Sequence, residues 1–239
     1  MRGPQVQPRV AELARRCAGD PPAAVVDMLA AELVAAYTDD RHYHSLQHLD
    51  ECLAWLAWWQ AQSGEAALCE LELAIWYHDL VYEPGAADNE TRSASAARRA
   101  AGQLGWSPDS QEMTVQLILA TAHLSGEAPL GPPDASSQPG GAAAVNEAVG
   151  RTMTALIRDI DLAILGADAA RYSSYRTQVR AEYAHLPDAE YRRGRSRVLE
   201  QFLARRQIYR LPLFFSRLET RARENMAAEL VELRARIGE

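Results

Sequence analysis

The sequence of 239 residues contains no lysine, so all of its 25 basic side chains are arginines. Against them stand 32 acidic side chains, and the formal net charge is −7. A protein that binds a nucleic-acid polymer needs cationic side chains to neutralise phosphates. The acidic balance therefore argues against such a polymer as the main partner. A small anion held by a few arginines stays open.

Cysteine is scarce as well. Cys17, Cys52 and Cys69 are the only cysteines in the chain, and no two of them form a C-x-x-C pair. An odd number of widely spaced cysteines predicts neither a disulfide framework nor a zinc knuckle. We therefore expect a reducing, cytoplasmic location.

Long apolar runs are absent too. Because no stretch reaches about 18 apolar residues, the sequence predicts no membrane-spanning helix. Residues 1–10 are polar and lack the apolar core of a signal peptide. Hydrophobic residues still make up 48% of the chain, enough to bury a sizeable core.

Apolar residues recur at spacings of three and four along most of the chain, as they do in amphipathic helices. Several short alternating strands, or a repeat of fixed period, are not found. We predict an all-α helical bundle in a single domain that covers residues 1–239, with its core at about residues 23–228. Residues 125–144 are rich in Gly, Pro, Ser and Ala, and predict a flexible surface loop within that domain.

The residues suited to chemistry are concentrated in a few places. Three of the six histidines, His42, His44 and His48, lie within seven residues. Further along, an apolar helix runs up to His78 and Asp79. Burying an imidazole or a carboxylate without a partner is costly, so these two groups should share one. A metal ion is the most economical shared partner.

A later pair of carboxylates, Asp159 and Asp161, offers a further ligand. Residues two apart on a helix lie about 200° apart around its axis, so only one can face a given ion. We predict Asp161, because it lies in the more apolar part of its helix. Two imidazoles and two carboxylates suit one divalent transition ion such as Mn²⁺, Fe²⁺, Co²⁺, Ni²⁺ or Zn²⁺. Mg²⁺ and a second ion stay open.

The order His48, His78-Asp79, Asp161 resembles that of the HD superfamily of metal-dependent phosphohydrolases. Residues 43–48, Y-H-S-L-Q-H, are similar to the Y-H-N-x-x-H segment of cyclic-nucleotide phosphodiesterases in that superfamily. The chain as a whole resembles a bacterial group of predicted HD phosphohydrolases. In that group R-x-Y-H-N-L-x-H, W-F-H-D-x-x-Y, D-N-E-x-x-S, D-x-D-L-x-I-L-G and E-Y occur in this order. The corresponding segments here are 41–48, 76–82, 88–93, 159–166 and 182–183.

The resemblance implies an HD-domain helical bundle that hydrolyses a phosphoester or phosphoanhydride bond in a nucleotide or another small phosphorylated metabolite. It implies His48, His78, Asp79 and Asp161 as ligands of one divalent ion, with a metal-bound hydroxide as the nucleophile. Asp79 counts among the catalytic residues for that reason. His44 matches the histidine that protonates the leaving oxygen.

The candidates for contacts with the substrate are Arg41, Tyr82, Asn89, Glu90, His123 and Arg195. The two arginines could hold phosphate oxygens bidentately. His123 is either a substrate contact or a weak ligand of a second ion. Association of the chain with itself stays open.

Two positions depart from the pattern of the resemblance. Ser45 stands where an asparagine is usual, which affects the hydrogen bond that would orient His44. Residues 80–82, L-V-Y, follow the dyad where many HD hydrolases have a lysine, so another group must stabilise the charge of the transition state. Two alternative functions stay open: a non-catalytic nucleotide-binding module and an HD-fold di-iron oxygenase, for which histidines are few.

Overall fold

The computed structural model describes residues 5–19, 21–38, 41–66, 68–123 and 142–235. The regular secondary structure in these ranges is helical, which confirms the predicted all-α class. Most of the loop predicted at 125–144 lies outside the described residues. Its last three residues, 142–144, already belong to a helix.

The α-helices are α1 (Val6–Ala18), α2 (Ala23–Thr38), α3 (Leu46–Ser63), α4 (Cys69–Tyr77), α5 (Asn89–Gln103), α6 (Pro108–Leu119), α7 (Ala142–Asp161), α8 (Ala169–Glu182), α9 (Asp188–Ala204) and α10 (Pro212–Ala235). A short 3-10 helix, Leu162–Gly166, follows α7 directly. Helix α4, the apolar helix predicted to run up to His78 and Asp79, ends at Tyr77.

Helix α4 is the centre of the bundle. It packs against α1, α3, α5, α6 and α7. Leu71, Ile75, Trp76 and Tyr77 are at most 1% exposed, so the helix is buried on all sides. A helix that is apolar all round is expected in such a position. Its C-terminal end therefore delivers the residues that follow it into the interior.

The structure corrects the prediction about cysteine. Cys17, at the end of α1, forms a disulfide with Cys69, at the start of α4, with their Cα atoms 5.8 Å apart. The disulfide closes the loop between residues 17 and 69. This restricts the unfolded chain and contributes about 4 kcal/mol to stability in the chain-entropy account. The spacing of the cysteines hid the pair because helix packing brings them together. The bond removes the ground on which a cytoplasmic location was expected, since disulfides are rare in cytosolic proteins.

The 3-10 helix that follows α7 is held against α10 by a close backbone contact. A Cβ atom at Gly166 would lie 2.9 Å from the carbonyl oxygen of Leu218, so only glycine fits there. Arg221 donates to the carbonyl of Gly166 and Asn225 to that of Leu165. These contacts fix the segment that directly follows Asp161. None of the described helices has the length and apolar character needed to cross a membrane.

Candidate metal centre

Three helix ends meet at one point of the interior and bring four side chains together. His48 lies in the first turn of α3, His78 and Asp79 directly follow α4, and Asp161 is the last residue of α7. One nitrogen or oxygen of each side chain lies within 4.8 Å of those of the others. The structure thus brings together the four residues that the resemblance implies as ligands.

The spacing of the donor atoms fits a single ion. Nε2 of His48 lies 3.1 Å from Nε2 of His78, 3.5 Å from Oδ2 of Asp79 and 3.3 Å from Oδ1 of Asp161. Nε2 of His78 lies 3.1 Å and 3.6 Å from the same two oxygens. Two donors that are each about 2.1 Å from an ion, at about 90–109° to one another, lie about 3.0–3.4 Å apart. The arrangement therefore has the dimensions of a coordination sphere.

The hydrogen bonding of His78 also fits a ligand. Its Nδ1 lies 2.9 Å from the carbonyl oxygen of Ile75, which can only accept, so Nδ1 carries a proton. In the neutral ring the lone pair is then on Nε2, which faces the cluster. Metal-binding histidines are commonly oriented by such a bond from the other ring nitrogen. Two imidazole nitrogens 3.1 Å apart need a cation or a proton between them.

The charges of the cluster are mutually dependent. Burial alone would raise the pKa of Asp79, but the imidazoles of His78 and His44 outweigh burial and lower it. Burial would also raise the pKa of Asp161, but the imidazoles around it outweigh burial and lower it, with the hydrogen bond from His123 having the largest lowering effect. Burial would lower the pKa of His78, and the two carboxylates raise it instead. Protons on the imidazoles thus offset the carboxylates, and a divalent ion that binds here releases protons.

Cys52 forms an alternative group with the two histidines. Its Sγ lies 3.7 Å from Nε2 of His48, one turn further along α3. Burial raises the pKa of this thiol well above its ordinary value, and the charge of Asp161 raises it further. A neutral thiol would leave the charge of a divalent ion uncompensated. The set that includes Asp79 and Asp161 is therefore the better match, and Cys52 packs beside it.

His44 stands next to the cluster and is oriented by Glu182. Its Nδ1 lies 2.8 Å from Oε2 of Glu182, and Oε1 of that carboxylate accepts the backbone N–H groups of residues 42–44. The ring stacks on Tyr82 with 3.8 Å between centroids. Burial would lower the pKa of His44, but Asp79 and Glu182 outweigh it and raise the pKa. Glu182 thus supplies the orienting bond that an asparagine at position 45 was expected to provide.

The predicted substrate contacts Arg41 and Asn89 are engaged with the backbone around the dyad. Arg41 donates to the carbonyl of Asp79 at 2.6 Å and to that of Leu80 at 2.8 Å. Asn89 exchanges hydrogen bonds with both backbone groups of Glu83. These bonds close the loop that follows the dyad. Arg41 thus ties the backbone of the dyad to the segment before α3, and its expected contact with a phosphate stays a prediction.

A cavity of about 570 Å³ opens beside the cluster. Its wall includes Asp161 and His44. Five of the six predicted substrate contacts also line it, namely Tyr82, Asn89, Glu90, His123 and Arg195. Nε2 of His123 lies 2.7 Å from Oδ2 of Asp161, the oxygen turned away from His48. Arg195 is bound bidentately by Glu229, with distances of 2.9 and 3.1 Å. The carboxylate of Glu229 thus holds the bidentate face of Arg195, and a contact of Arg195 with a phosphate stays a prediction.

The choice between the two carboxylates of α7 is visible in the structure. Asp159 is fully buried, and its oxygens accept the backbone N–H groups of Arg210 and Leu211 at 2.7 to 3.0 Å. Burial raises its pKa to about 7, although these bonds act in the opposite direction. Asp159 thus anchors the connection between α9 and α10, and Asp161 faces the histidines.

Glu182 belongs to the E-Y segment, but the sequence predicted no role for it. It is the end of α8, about 140 residues from the backbone that it binds. Its place in the E-Y segment was the available signal, but no local pattern ties a carboxylate there to His44.

Comparison with known proteins yields no matching family model, no curated protein of similar sequence and no solved structure of similar fold. What these side chains do therefore follows from their own geometry and chemistry.

Proposed function

We propose that the protein is a metal-dependent phosphohydrolase of the HD type, which hydrolyses a phosphoester or phosphoanhydride bond in a small phosphorylated compound. The observation that supports this most is the spacing of four donor atoms from three helix ends, beside a cavity that a substrate can enter. The side chains of both aspartates are 18–19% exposed, whereas both histidines are 2% exposed. The carboxylates thus form the side of the cluster that a substrate can reach.

Each residue has a distinct task in this proposal. His48, His78, Asp79 and Asp161 would hold one divalent transition ion. A bound ion of this kind polarises a phosphoryl oxygen and lowers the pKa of water. His44, kept in orientation by Glu182, gives its proton to the leaving oxygen.

The reaction consumes one water molecule. The bond between phosphorus and the leaving oxygen breaks, and a bond forms between phosphorus and the oxygen of water. The leaving oxygen takes the proton of His44, and a proton from the water restores His44. The products are an alcohol, or a shorter phosphate, and inorganic phosphate.

The test is a screen for hydrolysis of nucleotides, cyclic nucleotides and sugar phosphates after chelation and reloading with Mn²⁺, Co²⁺, Ni²⁺ or Mg²⁺, read by phosphate release for monoesters and anhydrides and by chromatography of the monophosphate product for cyclic nucleotides. We expect turnover of at least one compound with a transition ion, and none after chelation. His78→Ala should abolish it. His42→Ala is the matched control, because the His42 side chain is exposed and outside the cluster.

Three results would contradict the proposal. Turnover that persists in the chelated protein or in His78→Ala would remove the metal from the reaction. Binding of nucleotides without any turnover would favour a regulatory binding module. Oxygen consumption with two bound irons would favour an oxygenase, in which His123 and Asp161 could serve a second ion.

A further inference from the structure

The cavity beside the cluster carries information about the rest of the substrate. It adjoins Asp161, His123 and His44, so a phosphoryl group at the cluster would leave the remainder of the molecule inside it. Its volume of about 570 Å³ is in the range that encloses a small organic ligand. The charges and surfaces of its wall therefore bear on what that remainder is.

The first feature of the wall is the lack of an available cation. Arg195 is the only arginine among the described residues that line the cavity, and the chain has no lysine. The charge of Arg195 is offset by Glu229 at 2.9 Å, and its remaining contact is the hydroxyl of Tyr175 at 3.2 Å. Residues 124–141, which follow His123 in the chain, contain no arginine, lysine or histidine. Arg41, Arg180 and Arg205 contact residues of the wall, but each donates to backbone carbonyls and none of them lines the cavity. Within the described wall a second phosphate would thus find no cation that is not already engaged, although phosphates require such a counter-charge.

The second feature is an excess of negative charge. Glu90 and Glu190 line the cavity, and their charges remain when an ion at the cluster offsets that of Asp161. Among the described residues no ion pair of at most 4.0 Å involves either glutamate. Like charges that face each other across a binding surface suppress binding of the wrong partner. A polyphosphate chain would therefore be repelled along this wall.

The third feature is an apolar part of the wall. It is formed by side chains from the 3-10 helix, α8 and α9, namely Ile164, Leu165, Val179, Val198 and Phe202. Tyr183 lies on the same cavity. Apolar and aromatic side chains bind apolar or aromatic groups by removing both from water.

From these three features we infer that the substrate is a monophosphate ester whose leaving group is uncharged and largely apolar or aromatic. A di- or triphosphate does not fit the site. This inference rests on the proposed function, since it takes the cluster as the place of the single phosphoryl group. It adds the class of the leaving group, which the cluster by itself leaves undefined.

The test compares kcat/KM in two matched pairs of compounds, with metal in excess. The first pair is AMP and ATP, which differ in the number of phosphates. The second is 1-naphthyl phosphate and glycerol 3-phosphate, which differ in the leaving group. We expect AMP to exceed ATP at least about tenfold, because like charges are excluded. Naphthyl phosphate should exceed glycerol phosphate at least about tenfold, as apolar pockets discriminate by such factors. A smaller ratio in either pair overturns the inference.

A charge-reversal variant tests the electrostatic part separately. Glu190 lies in the first turn of α9 and is exposed, so its replacement leaves the core intact. Glu190→Arg should raise kcat/KM for ADP relative to AMP by about tenfold, since it adds the missing cation. Glu200→Arg makes the same change on α9 outside the cavity, where Glu200 contacts Arg234, and should leave the ratio unchanged. An unchanged ratio in Glu190→Arg, or an equal rise in Glu200→Arg, overturns exclusion by charge.

Failure of the proposed function is distinguishable from failure of this inference. If none of the compounds is hydrolysed with any of the ions, the proposed function fails. Calorimetric binding of AMP and ATP to the metal-loaded protein then decides the inference alone. Tighter binding of AMP supports it, and equal or tighter binding of ATP overturns it.

Discussion

Two clusters of buried charged side chains each contribute a residue to the wall of the cavity, Arg195 and Asp161, and they are built differently. In the first, Arg195 and Glu229 form a bidentate pair, with the hydroxyl of Tyr172 donating to Glu229 at 2.6 Å and Arg195 donating to Tyr175. Arg176 also approaches Glu229, at 3.8 Å, so the buried anion has cations beside it and both members of the central pair are hydrogen-bonded. This cluster is complete without any added group.

The second cluster, at the candidate metal centre, is not complete in this sense. Two carboxylates and two imidazoles converge at 3.1 to 3.6 Å, and only protons on the rings can offset the charge. Burying charges without compensation is costly, and such an arrangement persists where a ligand compensates them. The comparison teaches that burial of charge by itself does not mark a functional site. Buried charge that the surrounding protein leaves uncompensated does mark such a site.

The largest effect should come from removing a ligand of the second cluster. His78→Ala and Asp79→Ala should each lower metal affinity by more than about 100-fold, since losing a mere outer partner of a ligand already costs 10–100-fold. Turnover should disappear with the metal. Metal content of the purified variants, measured by mass spectrometry, checks this. Full occupancy in either variant would show that the cluster is not a metal site.

The two aspartates of α7 provide a matched control for this result. Asp161→Asn should lose the metal, whereas Asp159→Asn should retain it, because the oxygens of Asp159 face the backbone of residues 210–211. The reverse order would mean that the wrong carboxylate has been assigned.

Loss of His44, the proposed proton donor, should have the next largest effect. His44→Ala should keep its metal but slow turnover of an ester with a poor leaving group by about 10²–10⁴-fold, the usual contribution of a general acid. A leaving group such as 4-nitrophenolate needs no proton, so its ester should be affected less. Steady-state rates for phenyl and 4-nitrophenyl phosphate give the comparison, with His42→Ala as the control. Equal losses for both esters would mean that His44 does not donate the proton.

Breaking the first cluster should affect stability and leave metal binding intact. Glu229→Gln leaves Arg195 buried without its counter-charge and should cost about 3–5 kcal/mol in the free energy of unfolding. Glu232→Gln removes the exposed partner of Arg176 and should cost about 0–1 kcal/mol. Denaturation with urea measures both. If Glu229→Gln instead lost its metal while keeping its stability, the two clusters would be coupled.

The smallest effect concerns the pH dependence of the bond between His44 and Glu182. The raised pKa of His44 gives stability that is present below its ordinary value of 6.5 and is lost as the pH rises through the folded value. The pKa of Glu182 is lowered: burial opposes this, but the bond to His44 outweighs it. Its contribution is present above 4.5 and is lost as the pH falls through the folded value.

In metal-free protein, the stability difference between the native chain and His44→Ala should therefore be largest between about pH 4.5 and 6.5, at about 1 kcal/mol. Urea denaturation over a series of pH values with a chelator present measures it. A difference that grows steadily above pH 7 would contradict the assignment of the charged pair.

Much of the molecule follows from local patterns in the sequence. Spacings of three and four placed the helices, because burial of one face has the same period as the helix. The apolar run before His78 identified α4 as a buried helix that ends on polar groups. Residues two apart on a helix lie about 200° apart around its axis, so only one aspartate of α7 can face the cluster. Asp161 is the one that faces the histidines.

What only the tertiary structure decided depends on contacts between distant parts of the chain. The sequence by itself determined which residues are arginines, but not that Arg195 meets Glu229 or that Arg41 binds the carbonyls of Asp79 and Leu80. It contained Cys17 and Cys69, but their pairing required α1 to pack against α4. Glu182 reaches His44 only because α8 ends beside the start of α3. Periodicity reports the local environment of a residue, whereas the partner that neutralises a charge is set by the packing of whole helices.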